Sequence, residues 1–131
     1  MDADELCALA HEVAQELPGS ELMNPFGPDW DVYKVRGKVF ALLTASAGPQ
    51  MLTVKADPED GEALRLQYAD VVPGYHMNKR HWVTLTPGAS LDAGLVREVV
   101  TISYLLVVEG LPCARRPVDP AAYAKAAGLT D

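Results

Sequence analysis

The chain has 131 residues, 49% of them apolar and 22% charged, and its net charge is −7. A chain of that length can bury a core without disulfides or a metal, and it reads as one domain. The acidic balance opposes overall attraction to nucleic acid or to anionic membranes, so either contact needs a local basic patch.

Two cysteines, Cys7 and Cys113, lie near opposite ends. They lack zinc-site spacing, and neither a disulfide framework nor a metal is expected. Met1-Asp-Ala-Asp-Glu is acidic where a secretory signal needs a basic start. The longest apolar run, residues 99–108, is interrupted by Thr101, Ser103 and Tyr104. It falls short of the roughly 20 residues that span a bilayer. These readings imply a cytoplasmic protein without membrane contact.

In chain order, residues 3–17 carry apolar residues at helical spacing, from Leu6 to Leu17. Asp2 is placed to cap this helix, with Glu5 three residues later, and Pro18-Gly19 ends it. His11 reads as an ordinary helix residue. A short strand at 21–23 precedes a loop rich in proline and glycine. Residues 31–35 and 38–43 then form a hairpin around Arg36-Gly37, where glycine tolerates positive φ. Residues 51–55 make a further strand, with Leu52 and Val54 facing the core and Thr53 and Lys55 on the other face.

Asp57-Pro58-Glu59-Asp60 starts a second helix that runs to about Tyr68. Residues 81–86 read as a strand. Asp92 caps a long apolar helix over 93–109, assigned as helix because it outruns a typical strand. Gly110 is expected at its C′ position, with Pro112 blocking continuation. Asp119-Pro120 opens a last short helix, which Tyr123 and the alanines can dock. Three separated helices plus about five antiparallel strands predict a two-layer α+β domain over 1–131, with 117–131 as a C-terminal helical extension.

The densest chemistry lies in Gly74-Tyr75-His76-Met77-Asn78-Lys79-Arg80-His81-Trp82. This block, with Phe26-Gly27, Arg36-Gly37-Lys38, Ser103-Tyr104 and Leu111-Pro112, resembles the MmcQ/YjbR-like family over residues 3–112. The resemblance implies a small α+β fold related in shape to the frataxin-like fold. It also implies a double-wing arrangement for which DNA binding has been proposed.

The candidate anion- or nucleic-acid-binding residues are Lys79, Arg80, His76, His81, Tyr75, Asn78, Arg36, Lys38, Arg115 and Arg116. Arginine grips phosphate bidentately and lysine adds a point charge. In the competing reading, Lys79 and Arg80 pair with carboxylates and Tyr75 and Trp82 pack the sheet. Asn78 and Gly74 then serve the turn. No catalytic residues, cofactor or metal are assigned, because no nucleophile, phosphate-loop or dinucleotide motif is present. A weaker enzymatic reading uses His76 oriented by Asp70. A metal at His76 and His81 would need Asp29, Asp31 or Asp70 as a third ligand. The leading expectation is a non-enzymatic binding protein for DNA or another phosphate-bearing ligand. The alternative is a small-molecule or protein interaction module with a concave site beside Tyr75, His76 and Lys79.

Overall fold

The computed structural model of the chain describes residues 1–27, 29–44, 50–74 and 77–129. Helix α1 (Ala3–Glu16) starts where its sequence demands. Asp2 caps it by accepting from the Glu5 amide at 2.8 Å, which satisfies one of the free first-turn N–H groups. Leu6, Ala10, Val13 and Ala14 form its buried face.

Strands β1 (Ser20–Met23), β2 (Trp30–Val35), β3 (Lys38–Thr44) and β4 (Met51–Lys55) then make an antiparallel meander. Helix α2 (Pro58–Gln67), β5 (Val71–Pro73), β6 (Trp82–Leu85) and helix α3 (Ala93–Glu109) follow. A 3-10 turn at Cys113–Arg115 leads to α4 (Pro120–Ala126). The sheet order is β1-β2-β3-β4-β6-β5, and every neighbouring pair is antiparallel.

The fold is therefore α+β, as expected, and the described residues form four helices and six strands rather than about five. The added strand is β5, which pairs Val71 with Leu85 and Pro73 with Val83. Three residues ending in proline leave no readable alternation. The proline is tolerated because β5 lies at the sheet edge.

Helices α1 and α3 pack on each other, α1 also on β4 and β1 and α3 on β3 and β4. The core between the layers holds Leu6, Val96, Val100 and Tyr104 from the helices against Tyr33, Phe40, Leu52 and Val54 from the strands, all 1% exposed or less. The opposite parity is buried too. Val32, Leu42, Thr53 and Thr84 form a cross-strand row, and the Thr53 and Thr84 hydroxyls are hydrogen-bonded at 2.8 Å. Thr53 lies on the expected face, but that face buries it.

Helix α3 holds the sheet open at one point. A register shift in the β2–β3 ladder leaves Phe40 between the paired residues Val39 and Ala41. The β3–β4 ladder begins at Ala41↔Val54. Beyond it, Ser103 inserts its hydroxyl. Oγ donates to the Phe40 carbonyl at 2.6 Å and accepts from the Lys55 amide at 2.8 Å. Tyr104, next along the helix, donates to the Pro18 carbonyl at 2.6 Å and ties α3 to the end of α1. Its ring meets Tyr123 edge-on at 6.2 Å, which docks α4.

Two helix boundaries work differently from their sequence signals. Gly110 has φ −76°, so α3 does not end on a left-handed glycine. Arg116 serves the helix end instead. Its Nε donates to Leu111 O at 3.0 Å and its Nη2 to Glu109 O at 2.7 Å, placing positive charge where the helix dipole is negative. Asp57 sits at the cap position of α2 but makes no side-chain capping bond, so Pro58 supplies the start. No helix among the described residues is long and apolar enough to cross a membrane.

Candidate functional site

The β2–β3 hairpin tip is built from Arg36 (φ 50°) and Gly37 (φ 80°). Two central residues at positive φ match the twist of the flanking strands, which is the geometry of a two-residue hairpin turn. Arginine pays for that conformation with steric strain that asparagine or glycine largely avoids. Arg36 is held there by a bond from its Nε to the Arg115 carbonyl at 3.1 Å. The hairpin tip and the 3-10 turn after α3 are thus joined.

Beside them is a groove of about 370 Å³, lined by Lys38, Val39, Lys55, Trp82, Leu106, Val107, Gly110 and Leu111. Lys55 and Trp82 are direct cross-strand partners. Their side chains therefore start about 5 Å apart. The groove combines two ammonium groups with the half-buried Trp82 indole. Lys55 is absent from the residues singled out by sequence, where it reads only as the outward end of a strand.

The stretch that leads into Trp82 is fixed by backbone contacts. Gly74 is buried and donates its N–H to Trp82 O at 2.9 Å. A Cβ at Gly74 would lie 2.6 Å from Trp82 Cβ. The glycine is required by this close approach and not by a positive φ. Lys79 Nζ donates to the Gly74 carbonyl at 3.3 Å. Asn78 shapes the turn: its Oδ1 accepts from the Arg80 amide at 2.9 Å and its carbonyl from the His81 amide at 3.2 Å. Tyr75 and His76 lie outside the described residues.

The candidate cations separate into groups. Lys38 and Lys55 line the Trp82 groove, while Arg36 and Arg115 meet where the hairpin tip joins the 3-10 turn. Arg80 lies elsewhere, lining a depression with Asp57, Pro58, Glu59 and Asp60. Arg116 is engaged by the end of α3. Lys79, Arg80 and His81 are exposed. Among the described residues the ion pairs are His11–Asp31 at 3.3 Å and Arg97–Glu12 at 4.0 Å, so neither Lys79 nor Arg80 is paired.

Asp70 is committed to its own loop. Its carboxylate accepts from the Ser90 amide at 2.9 Å and from Ser90 Oγ at 2.5 Å. These bonds, the side-chain one foremost, favour the ionised carboxylate and hold its pKa below the usual carboxylate range. His11 is more engaged than its position implies. Its Nδ1 is hydrogen-bonded to the Tyr33 hydroxyl at 2.5 Å, its Nε2 faces Asp31, and Asp31 also accepts from Asn24 at 2.8 Å. Tyr33 is 1% exposed, and burial pushes its phenol above the ordinary value. The chain Asp31–His11–Tyr33 therefore locks α1 to β2. Burial likewise raises the Cys7 thiol, which disfavours the reactive thiolate. Among the described residues no group of three or more His, Cys, Asp or Glu side chains is placed to hold a metal ion.

Comparison with known proteins places this geometry in context. A model of the YjbR family matches residues 15–106, which include Arg36, Lys38, Lys55 and Trp82 and stop before Arg115. YbdF of Escherichia coli O157:H7 is 40% identical over 111 residues, covering 85% of this chain and 91% of that protein. YjbR of Escherichia coli strain K12 is 34% identical over 90 residues, covering 67% and 76%. Among solved structures, the Deinococcus radiodurans protein DR2400, with family-model domain DUF419, superposes with a TM-score of 0.74. It is 37% identical, and the match covers 92% of this chain and 86% of that one. A Pseudomonas syringae protein matches with a TM-score of 0.62 at 27% identity, covering 72% and 92%.

Proposed function

The chain belongs to the YjbR family, and on that premise we propose that it is a non-enzymatic cytoplasmic binding protein whose ligand is a single strand of nucleic acid. The observation that carries this reading is that Lys38, Lys55 and Trp82 line one groove, with Lys55 the cross-strand partner of Trp82. Indole faces stack bases without sequence preference, and flanking ammonium groups track the phosphate backbone. Arg36 and Arg115 add positive charge where the hairpin tip, two residues before Lys38, meets the 3-10 turn. Lys79, exposed and without an ion pair among the described residues, is tied to Trp82 through Gly74, whose carbonyl it bonds and whose amide donates to the Trp82 carbonyl. The net charge of −7 confines contact to this end of the molecule, so a short footprint and steep salt dependence are expected.

Fluorescence anisotropy with labelled mixed-sequence single strands of DNA and RNA, and with the corresponding duplex, tests the reading at about 50 and 200 mM salt. Single strands bind and quench Trp82 emission. Lys38→Ala and Lys55→Ala each lower the slope of log affinity against log salt by about 1. Absence of binding by either single strand at the lower salt refutes the proposal. A clear preference for the duplex also refutes it, because stacking on Trp82 requires an unpaired base.

A further inference from the structure

We propose that the cleft between α2 and α3 is a second binding site, for a small ligand with an apolar body and a cationic amine head. The two helices pack on different parts of the sheet: α2 on β5 and β6, and α3 on β3 and β4. Only Gly61 of α2 is buried, where an added Cβ would lie 3.3 Å from Val83. The helix touches the sheet closely at that turn and leaves an opening beside α3. The opening measures about 460 Å³. Small-molecule sites occupy roughly 300–1,000 Å³ and combine an apolar lining with a few polar groups. Here Val54, Val83 and Val99 supply apolar walls, and Lys55, Asp60 and Glu98 supply the charge.

The charge selects the ligand. Asp60, Glu98 and Lys55 form no ion pair among the described residues. Two carboxylates against one ammonium leave the cleft with a net charge of −1. An amine head can therefore meet an unpaired carboxylate while its apolar body covers the valines. A carboxylate head meets repulsion from both acids. The overall charge of −7 draws cations in the same direction. This site is distinct from the Trp82 groove, with which it shares Lys55 as a lining residue.

Three isosteric probes test the site by amide chemical-shift titration at neutral pH: 2-phenylethylamine, 2-phenylethanol and phenylacetate. The amine shifts the amides of Val54, Ala56 and Val99 and binds about 2- to 5-fold more tightly than the alcohol, as expected for one partly exposed ion pair. Phenylacetate binds more weakly than the alcohol. The double variant Asp60→Asn, Glu98→Gln removes the preference for the amine while its dispersed spectrum shows that the fold is intact. Ala63→Trp, a change at an exposed helix position lining the cleft, blocks all three probes. Equal or tighter binding of phenylacetate overturns the proposal. So do shifts confined to other surfaces, no response to the amine, or an amine preference that survives the double variant.

Discussion

Ser103 fixes the main chain of Lys55, the residue lying across the sheet from Trp82. The helix hydroxyl accepts from the Lys55 amide at 2.8 Å and donates to the Phe40 carbonyl at 2.6 Å. A core-facing serine on α3 thereby sets the floor of the candidate groove. Ser103→Ala leaves two main-chain groups without their partner, at about 1–3 kcal/mol for each buried group. Denaturant unfolding should show a loss of about 2–4 kcal/mol, and the Lys55 amide should lose hydrogen-exchange protection before its β4 neighbours.

Gly74→Ala tests the contact on the other side of that groove. The new methyl would overlap Trp82, whose Cβ and carbonyl both lie under 3 Å from the position it takes. Overpacking of this kind costs about 1–3 kcal/mol. Because Lys79 bonds to the Gly74 carbonyl, the substitution should also displace the Lys79 side chain. Thermal unfolding and the Trp82 fluorescence maximum report the two effects separately.

Arg36 stands in a conformation for which its side chain is poorly suited. Arg36→Asn relieves about 1 kcal/mol of left-handed strain and removes one exposed hydrogen bond. Stability should rise by about 0.5 kcal/mol while affinity for single-stranded nucleic acid falls. A variant that gains stability and keeps full affinity removes Arg36 from the binding surface.

Tyr104 gives the protein an alkaline limit. Burial, first, and the neighbouring Tyr123 push its phenol from 10.0 up to about 12. The folded value exceeds the unfolded one, so this contribution is complete below pH 10 and is lost as pH rises toward 12. Tyrosinate absorbance should show one phenol titrating near 12 in the folded wild type. Tyr104→Phe should lack that step and show a shallower loss of stability over the same interval.

Asp70 acts at the acid end with the opposite sign. Its folded pKa lies below the ordinary value of 3.8, chiefly through Ser90. Its contribution is therefore present above that value and is lost as pH falls below it. Asp70→Asn should flatten the acid arm of the stability curve and leave the neutral region less affected by pH. Urea midpoints measured across the acid range check this.

These residues show where sequence reading succeeds and where it stops. Asp2 and Asp92 mark their helices correctly because capping is local, settled by an amide three residues away. Arg36-Gly37 marks the hairpin for the same reason. Ser103 reads as one more small residue on an apolar face, because its partners lie 63 and 48 positions away on separate strands. Lys55 escapes notice likewise, since only the β4–β6 pairing across an intervening helix sets it beside Trp82. Arg116 shows the reverse error. A basic run near a chain end looks available for phosphate, yet helix-end carbonyls occupy that guanidinium.

The buried hydroxyl pair Thr53–Thr84 discriminates between ways of assembling the same strands. Valines and leucines on either side tolerate many partners. A slip of one residue between β4 and β6 would send Thr53 opposite Val83 or Leu85 and turn every side chain to the wrong layer. A slip of two keeps the layers but sets Thr53 opposite Trp82 or Thr86 and takes its hydroxyl partner from the buried Thr84. The observed alignment joins burial to the Thr53–Thr84 bond, so these two threonines act as a proofreading mark for the closing of the sheet.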